Sequence, residues 1–247
     1  MTEALKRKVA LVTGGSRGIG AAIALRLARE GAAVALTYSR SADKAEAVVR
    51  AIEEEGGRAL AIEADSADAA AVIQAVAQTV RALGRVDILV NNAGIATLAP
   101  VDKVSLEDFD RMVAINIRAV FVAVREVVRH MGAGGRIITI GSVNADRVPG
   151  DSMSVYAMTK SALVGLTRGL ARDLGPRGIT VNLVQPGPVD TDMNPAEGPF
   201  AEQLKSLLAI GRYGRADEVA AMVAYLAGPE AGYVTGTSLT IDGGFAA

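Results

Sequence analysis

The sequence contains no cysteine, no tryptophan and a single histidine, His130, and only 4% of its residues are aromatic. The absence of cysteine excludes disulfides, a thiolate nucleophile, Cys-ligated zinc and iron–sulfur clusters. A single histidine excludes a polyhistidine metal site and argues against a Ser-His-Asp triad. The acidic residues Asp190, Asp192 and Glu197 share one loop, and we interpret them as solvated side chains. We therefore expect no metal site.

Charge of one sign and long hydrophobic runs are also missing. The 26 basic and 27 acidic residues give a net charge of -1, a balance that argues against binding to nucleic acid or to an anionic membrane. The longest apolar runs, such as 119–124, are too short to span a bilayer. The first eight residues lack the apolar core of a signal peptide. The sequence therefore predicts a soluble, cytoplasmic, compact globular protein.

Short apolar runs alternate with long amphipathic segments along all 247 residues. The pattern predicts strands at 9–13, 33–38, 59–62, 87–91, 136–140, 179–184 and 238–241, and helices at 19–30, 42–55, 67–83, 106–129, 155–174 and 216–226. Strict alternation with continuously apolar strands indicates a parallel sheet covered on both faces. We expect an α/β fold: one Rossmann-type, doubly wound parallel sheet of about seven strands, in a single domain over residues 1–247.

One segment, 185–209, is irregular and rich in proline and glycine. A long loop in a compact domain is usually functional, and this one directly follows the end of a strand. We expect it to form a lid over a site, and a simple surface loop is the alternative.

The turn between the first strand and the first helix is rich in glycine, in the order Thr13-Gly14-Gly15-Ser16-Arg17-Gly18-Ile19-Gly20. Small residues let a ligand approach the backbone, and the helix N-terminus offers N–H groups to a pyrophosphate. The spacing is G-x-x-x-G-x-G rather than G-x-G-x-x-G. A tight corner needs glycine in any case, but its place after the first strand favours dinucleotide binding. The expected cofactor residues here are Gly14, Ser16, Arg17, Gly18, Ile19 and Gly20.

The end of the second strand indicates which cofactor is bound. Enzymes that prefer NAD place a carboxylate there against the ribose 2′-hydroxyl, whereas this sequence has Tyr38 followed by Ser39 and Arg40. Arg40 and Arg17 are suited to a 2′-phosphate, although two solvated arginines are the alternative. We therefore expect NADPH/NADP rather than NADH, with Tyr38 and Arg40 at the ribose and Asp65, which closes the third strand, at the adenine.

Several residues have the chemistry of a carbonyl-reducing site. Tyr156 and Lys160 lie four residues apart on one face of a predicted helix, and a nearby ammonium together with an oxidised nicotinamide would lower the pKa of the phenol. Ser142 follows the fifth strand, where its hydroxyl can hydrogen-bond a substrate carbonyl. Asn116 places an amide in an apolar helix face, which is costly unless it is fully hydrogen-bonded. Residues 91–94 are polar or small where the fourth strand ends.

Taken together, these signatures resemble the short-chain dehydrogenase/reductase family along essentially the whole chain. The matching residues are Thr13-Gly14-x-x-x-Gly18-x-Gly20, Asn91-Asn92-Ala93-Gly94, Asn116, Ser142, Tyr156-x-x-x-Lys160 and Pro186-Gly187-Pro188-Val189-Asp190-Thr191.

The resemblance implies a reaction and a division of roles. Tyr156 would be the general acid in reduction, and Lys160 would hold the cofactor ribose and tune Tyr156. Ser142 would orient the carbonyl, and Asn116 would support the proton relay. The resemblance also implies a homotetramer and further cofactor contacts from Asn92, Ala93, Gly94, Pro186, Gly187, Val189 and Thr191.

Within the family, two groups are similar to this chain. Residues 178–182 and the Arg17/Arg40 pair resemble 3-oxoacyl-acyl-carrier-protein reductases. Residues 140–147 and 190–195 resemble more closely a group of bacterial biofilm-dispersal reductases linked to cyclic-di-GMP binding. Ser142 and Tyr156 are 14 positions apart, about one more than is usual in the family. The loop between them, residues 144–155, would therefore reshape the pocket.

The leading hypothesis is therefore an NADPH-dependent reductase of a small hydrophobic or aromatic ketone. A β-ketoacyl thioester is the alternative substrate, and a protein that senses a signalling dinucleotide is the alternative of another class. The intact catalytic residues argue against a purely binding role. The expected pocket is mostly apolar and flexible, lined by Val143, Asn144, Val148, Met153 and Met193.

Overall fold

The seven strands form one sheet in the order β3-β2-β1-β4-β5-β6-β7, and every pair is parallel. The strands are β1 Val9–Val12, β2 Ala33–Tyr38, β3 Ala59–Glu63, β4 Ile88–Asn91, β5 Arg136–Ile140, β6 Thr180–Pro186 and β7 Ser238–Ile241. The structure, a computed structural model, describes residues 4–198 and 200–247. Two expectations extend beyond the described residues. Residues 1–3 belong to the first eight residues, in which we expect no signal peptide, and Pro199 belongs to the expected lid.

Helices cover both faces of this sheet. They are α1 Gly18–Arg29, α2 Ala42–Glu54, α3 Ala69–Leu83, α4 Leu106–Val113, α5 Ala119–Val127, α6 Ser154–Leu174, α7 Ala201–Ser206 and α8 Ala216–Ala227. In β1, Ala10 and Val12 pack with α1, α2 and α8, whereas Leu11 packs with α3, α5 and α6. Alternate residues of β1 therefore lie in two separate cores, one on each face of the sheet. The predicted doubly wound parallel sheet of seven strands is confirmed.

Strand β1 is continuously apolar because helices cover both of its faces. All four residues of β1 and all five of β5 are buried. Since β1 lies between β2 and β4, the chain leaves it in opposite directions on either side. In open α/β sheets, ligands bind outside the carboxyl ends of the strands at this switch point. The fold thus places the candidate site at the ends of β1 and β4.

The helix predicted over 106–129 is not one regular helix. Residues Ala114–Arg118 form a π-helical turn between α4 and α5. A π turn changes the direction of the side chains that follow it, and such turns are frequent at functional sites. Here it carries Asn116, which is buried. Periodicity alone does not distinguish this turn from the regular helix around it.

The segment predicted to be irregular is more ordered than expected. Strand β6 runs two residues into it, to Pro186, and it contains the short helix α7. A bridge between Val189 and Gly214 ties it to the residues before α8. Its apolar side chains pack into a small core of their own with Tyr213 and Phe245.

Among the described residues, no helix combines the length and the apolar composition that crossing a membrane requires. The same part of the chain contains no group of three or more His, Cys, Asp or Glu side chains suited to a metal ion.

We expect Leu27→Ala to lower the free energy of unfolding by about 2–5 kcal/mol, because the Leu27 side chain on α1 is fully buried in the core beneath α8. Urea unfolding followed by circular dichroism measures the change. The matched control is Leu98→Ala, whose side chain is 56% exposed and whose loss should change the free energy of unfolding by less than about 1 kcal/mol. Similar losses for the two variants would contradict the assigned core.

Candidate active site

Close backbone packing shapes the glycine-rich turn. Gly14 has φ of 63°, a left-handed conformation that favours glycine. A Cβ atom on Gly20 would lie 2.2 Å from the Gly14 carbonyl oxygen and 2.4 Å from Nδ2 of Asn92. Both positions therefore require glycine, and the start of α1 is drawn tightly against the turn.

Asn92 joins this turn to the end of β4. Its Nδ2 donates to the carbonyl oxygens of Thr13 (3.0 Å) and Gly14 (2.9 Å). In return, the Thr13 hydroxyl accepts hydrogen bonds from the backbone N–H groups of Asn92 (3.0 Å) and Ala93 (3.1 Å). Four hydrogen bonds thus connect the two loops at the switch point. The Asn92 side-chain amide holds the protein backbone, so its predicted cofactor contact would have to come from other atoms.

The start of α1 fits the pyrophosphate of a dinucleotide. Arg17 is the N-cap residue, and among the described residues no side chain caps this helix or places an acid in its first turn. The free N–H groups and positive end of the dipole therefore face the turn, as an anion site requires. Gly18, with φ of 54°, lies against Thr191. Thr191 belongs to the β6–α8 segment, residues 187–215, which connects β6 to α8.

Two cations meet one carboxylate beside this turn. Nη1 of Arg17 lies 3.3 Å and Nζ of Lys44 lies 2.9 Å from the same oxygen, Oδ2 of Asp192. Hydrogen bonds from Lys44 and then Arg17 hold the pKa of the Asp192 carboxyl below its usual range. The expectation that Asp192 is simply solvated is wrong, because it forms ion pairs with two other segments.

The residues expected at the adenosine end lie around β2 and β3. Tyr38 ends β2 and Arg40 follows it as an exposed side chain. Asp65 is exposed after β3, and its Oδ1 accepts a hydrogen bond from the Ala67 N–H at 2.9 Å. This bond gives Asp65 a local role in the turn that precedes α3, in addition to any cofactor contact.

Tyr156, Lys160 and Ser142 come together where α6 passes the end of β5. The Lys160 side chain is buried, its Nζ donates to the Ile140 carbonyl at 3.1 Å, and it lies 5.8 Å from the centre of the Tyr156 ring. Burial lowers the pKa of Lys160 to about 8. Near neutral pH Lys160 is therefore mostly an ammonium, but it loses its proton at a lower pH than an exposed lysine does.

Burial raises the pKa of Tyr156, and a hydrogen bond with the Ser142 side chain lowers it in part. This direction is opposite to the lowering expected from Lys160 and a charged nicotinamide, because burial is the largest contribution. Tyr156 therefore holds its proton at neutral pH, as a general acid must.

Asn116 is fully engaged by protein groups. Its Oδ1 accepts from the Ile95 N–H, and its Nδ2 donates to the Ile95 carbonyl, both at 2.9 Å. The same Nδ2 donates to the Thr159 hydroxyl (3.0 Å), which donates to the Tyr156 carbonyl (2.8 Å). The amide thus links the π turn, the loop after β4 and α6.

Gly94 lies close to two of these groups. A Cβ atom there would lie 3.4 Å from Oδ1 of Asn116 and 3.5 Å from Nζ of Lys160. A side chain at this position would therefore contact both polar groups.

The expected cofactor residues at and just after the end of β6 are closely packed. Pro186 ends β6, and a Cβ on Gly187 would lie 2.7 Å from Asp242, so only glycine fits. Val189 is buried, and Thr191 is half-buried against Gly18.

The expected substrate residues divide into two groups. Val143 is buried against the core of the β6–α8 segment, and the Asn144 N–H donates to the Ser142 hydroxyl at 3.1 Å. Val148 and Met193 are exposed, and Met153 precedes α6 as a half-buried side chain. Val143 therefore supports the Ser142 loop from behind, whereas the other apolar side chains remain accessible.

The Ser142 loop also contacts the end of the chain. Arg147 donates to the Phe245 carbonyl and lies 5.2 Å from the centre of the Phe245 ring. Phe245 is buried in the same small core as Val143. Two contacts thus hold the loop against residues about a hundred positions away.

Sequence reasoning missed several residues of this site. Thr159 and Lys44 have the contacts described above, and Gln185 donates from Nε2 to the Ser142 carbonyl at 3.4 Å. Thr13 was recognised as part of the glycine-rich motif, but its hydrogen bonds to the end of β4 were not predicted. Lys44 carried a signal, because it follows Arg40 by four residues, at the start of a predicted helix. Thr13, Thr159 and Gln185 act through hydrogen bonds to segments distant in the chain, which residue type and spacing do not indicate.

Comparisons with known proteins agree with this geometry. A family model described as Enoyl-(Acyl carrier protein) reductase matches residues 14–246. The cyclic-di-GMP-binding biofilm dispersal mediator protein of Escherichia coli (strain K12) is 54% identical over 240 residues, covering 97% of this chain and 98% of that protein.

Two solved structures are also similar over their full length. A short-chain dehydrogenase/reductase from Serratia marcescens BCRC 10948 is 66% identical, covers 99% of this chain and 100% of its own, and superposes with a TM-score of 0.98. A short chain dehydrogenase from Burkholderia cenocepacia J2315, solved in complex with NADP, is 58% identical with the same coverage and TM-score. By its sequence, its fold and the arrangement of these side chains, the chain belongs to the short-chain dehydrogenase/reductase family of oxidoreductases.

Proposed function

We propose that the protein is an NADPH-dependent reductase that converts a ketone to a secondary alcohol, with Tyr156 as the general acid. The observation that carries this proposal is the grouping of the Tyr156 hydroxyl, the Ser142 hydroxyl and the buried Lys160 ammonium at the end of β5. Asn116 completes the set by holding the backbone beside them.

The proton chemistry follows from the environments of these groups. Tyr156 donates its proton to the carbonyl oxygen of the substrate, while Ser142 hydrogen-bonds and orients that oxygen. The Lys160 ammonium then stabilises the phenolate that remains. Since the pKa of Lys160 is about 8, this side chain can exchange protons with its surroundings near neutral pH.

NADPH, when bound, supplies the hydride that reaches the carbonyl carbon. The uncapped start of α1 and the glycines around it suit its pyrophosphate. Arg17 and Arg40 are the expected partners of the 2′-phosphate, and Lys160 of the ribose. The further cofactor contacts in this proposal come from Asp65, Asn92, Ala93, Gly94, Val189 and Thr191. The Burkholderia relative binds NADP by its description, which supports this choice over NADH.

The accessible apolar residues support a hydrophobic substrate. Leu98, Val148, Met193 and Phe200 are exposed. The Ala99 N–H donates to the Ser152 carbonyl at 3.0 Å, so the loop after β4 adjoins the loop before α6. We propose a small hydrophobic or aromatic ketone. A β-ketoacyl thioester is the second substrate, because the matching family model is described by an acyl-carrier-protein reaction.

The remaining expectations follow the same proposal. The chain acts in the cytoplasm as a single domain, with the segment 185–209 as a lid over the crevice. It assembles as a homotetramer, and the exposed apolar residues Leu106, Phe121 and Tyr233 supply surface for contacts between copies.

A signalling dinucleotide is the second candidate ligand. The relative from Escherichia coli is described as binding cyclic-di-GMP, and Arg17 and Lys44 already share one anionic oxygen. Calorimetric titration with cyclic-di-GMP tests this candidate. Saturable heat at micromolar ligand would support it, and the absence of heat would remove it.

The variant Tyr156→Phe should lose at least about 100-fold in kcat for NADPH-dependent ketone reduction, because it lacks the acidic proton. Its dissociation constant for NADPH should stay within about twofold, since the ring remains. Nicotinamide absorbance measures the first quantity, with a panel of ketones and a β-ketoacyl thioester, and fluorescence titration measures the second. Tyr225→Phe on α8 is the control and should retain full activity. Normal turnover by Tyr156→Phe would refute the role of this residue.

The value of kcat/KM for reduction should fall as the pH rises above about 8. Lys160 loses its proton there, whereas the raised pKa of Tyr156 keeps the phenol protonated. The lost charge removes the group that stabilises the phenolate, so activity declines on the alkaline side. Initial rates between pH 6.5 and 10 give the profile. The variant Lys160→Arg, which keeps its charge, should lack the decline near pH 8, and a flat wild-type profile would contradict the assignment.

A further inference from the structure

Arg17 and Lys44 both form an ion pair with Asp192. Arg17 belongs to the glycine-rich turn, Lys44 to the first turn of α2 and Asp192 to the β6–α8 segment. Both cations approach one oxygen, Oδ2, at 3.3 Å and 2.9 Å. Two positive charges thus converge on a point beside the cofactor turn where one negative oxygen lies.

This carboxylate is held weakly. The three side chains are 57%, 56% and 53% exposed, and exposed ion pairs contribute little because water and salt screen them. A phosphate monoester carries about 1.5–2 negative charges near pH 7 and three acceptor oxygens. It therefore pairs better with two cations than a single carboxylate does.

We propose that Lys44 joins Arg17 and Arg40 in holding the 2′-phosphate of NADPH, and that Asp192 occupies the place between Arg17 and Lys44 as an internal competitor until the phosphate displaces it. The inference rests on the proposed function and deepens it, because it makes Lys44 a specificity-determining residue. With NADH, which has a 2′-hydroxyl, Asp192 keeps both ion pairs and the β6–α8 segment stays tied to the turn. With NADPH, the segment is released from Arg17 and Lys44.

A second arrangement uses the same residues and predicts the opposite result. If the ion pairs persisted across a bound cofactor, Asp192 would strengthen cofactor binding, and its removal would weaken NADPH and NADH alike. The effect of Asp192 on cofactor affinity therefore distinguishes a residue that competes with the phosphate from one that keeps its ion pairs when the cofactor is bound.

The experiment measures dissociation constants by calorimetry for NADPH, NADH and 2′,5′-ADP, a probe that contains the phosphate without the nicotinamide. We expect Asp192→Asn to bind NADPH and 2′,5′-ADP about two- to fivefold more tightly, with NADH changed by less than about 1.5-fold. We expect Lys44→Met to weaken NADPH and 2′,5′-ADP by about tenfold, with NADH within about twofold.

Matched controls distinguish an effect at this site from an effect of the protein's overall charge. Asp43→Asn removes the same charge next to Lys44, and Lys103→Met removes an exposed lysine on the loop before α4. Both should leave the three dissociation constants within about 1.5-fold. In the double variant Lys44→Met/Asp192→Asn, the gain from Asp192→Asn should shrink, since one of its two partners is gone.

Three results would overturn the inference. They are weaker NADPH binding by Asp192→Asn, unchanged NADPH binding by Lys44→Met, and an equal change for NADPH and NADH in either variant. Arg40→Ala provides a further comparison: it should also weaken NADPH and 2′,5′-ADP while NADH changes little, because Arg40 is an expected partner of the same phosphate. Failure of the proposed function is distinguishable, because the expected effects on 2′,5′-ADP would stand even if no ketone were reduced.

Discussion

The amide of Asn92 is the contact on which the geometry of the crevice depends. It spans the gap between the ends of β1 and β4, where the sheet reverses its direction of winding, and binds two consecutive carbonyls of the glycine-rich turn. The turn can come this close only because Gly20 has no side chain. The start of α1 and the loop after β4 are therefore held together by the Asn92 side chain and the Thr13 hydroxyl.

A second constraint is the burial of a lysine. Lys160 lies in a low-dielectric environment with a backbone carbonyl as its hydrogen-bond acceptor, which explains why its proton is held less firmly than on an exposed lysine. In the neighbouring π turn, the Asn116 amide is hydrogen-bonded to Ile95 and Thr159. Lys160 and Asn116 are thus each paired with groups of the protein, which gives their side chains fixed orientations.

Much of this arrangement was predictable from the sequence, and the exceptions have a common cause. The strands and their parallel arrangement follow from the apolar runs, whereas the grouping of Ser142, Tyr156 and Lys160 is what the family resemblance implies. The π turn around Asn116, the extension of β6 to Pro186 and the helix α7 did not follow, because each depends on what the segment packs against. The same holds for the hydrogen bonds of Thr13 and for the pairing of Lys44 with Asp192, residues 148 positions apart.

The contact between Arg147 and Phe245 has a consequence for how this protein tolerates change. The loop that presents Ser142 rests on a side chain near the end of the chain, through a hydrogen bond and a ring contact. Alterations at the carboxyl end are therefore transmitted to the reacting groups without touching them. A substitution that displaces Phe245 is therefore expected to disturb the loop that presents Ser142 without changing any reacting group.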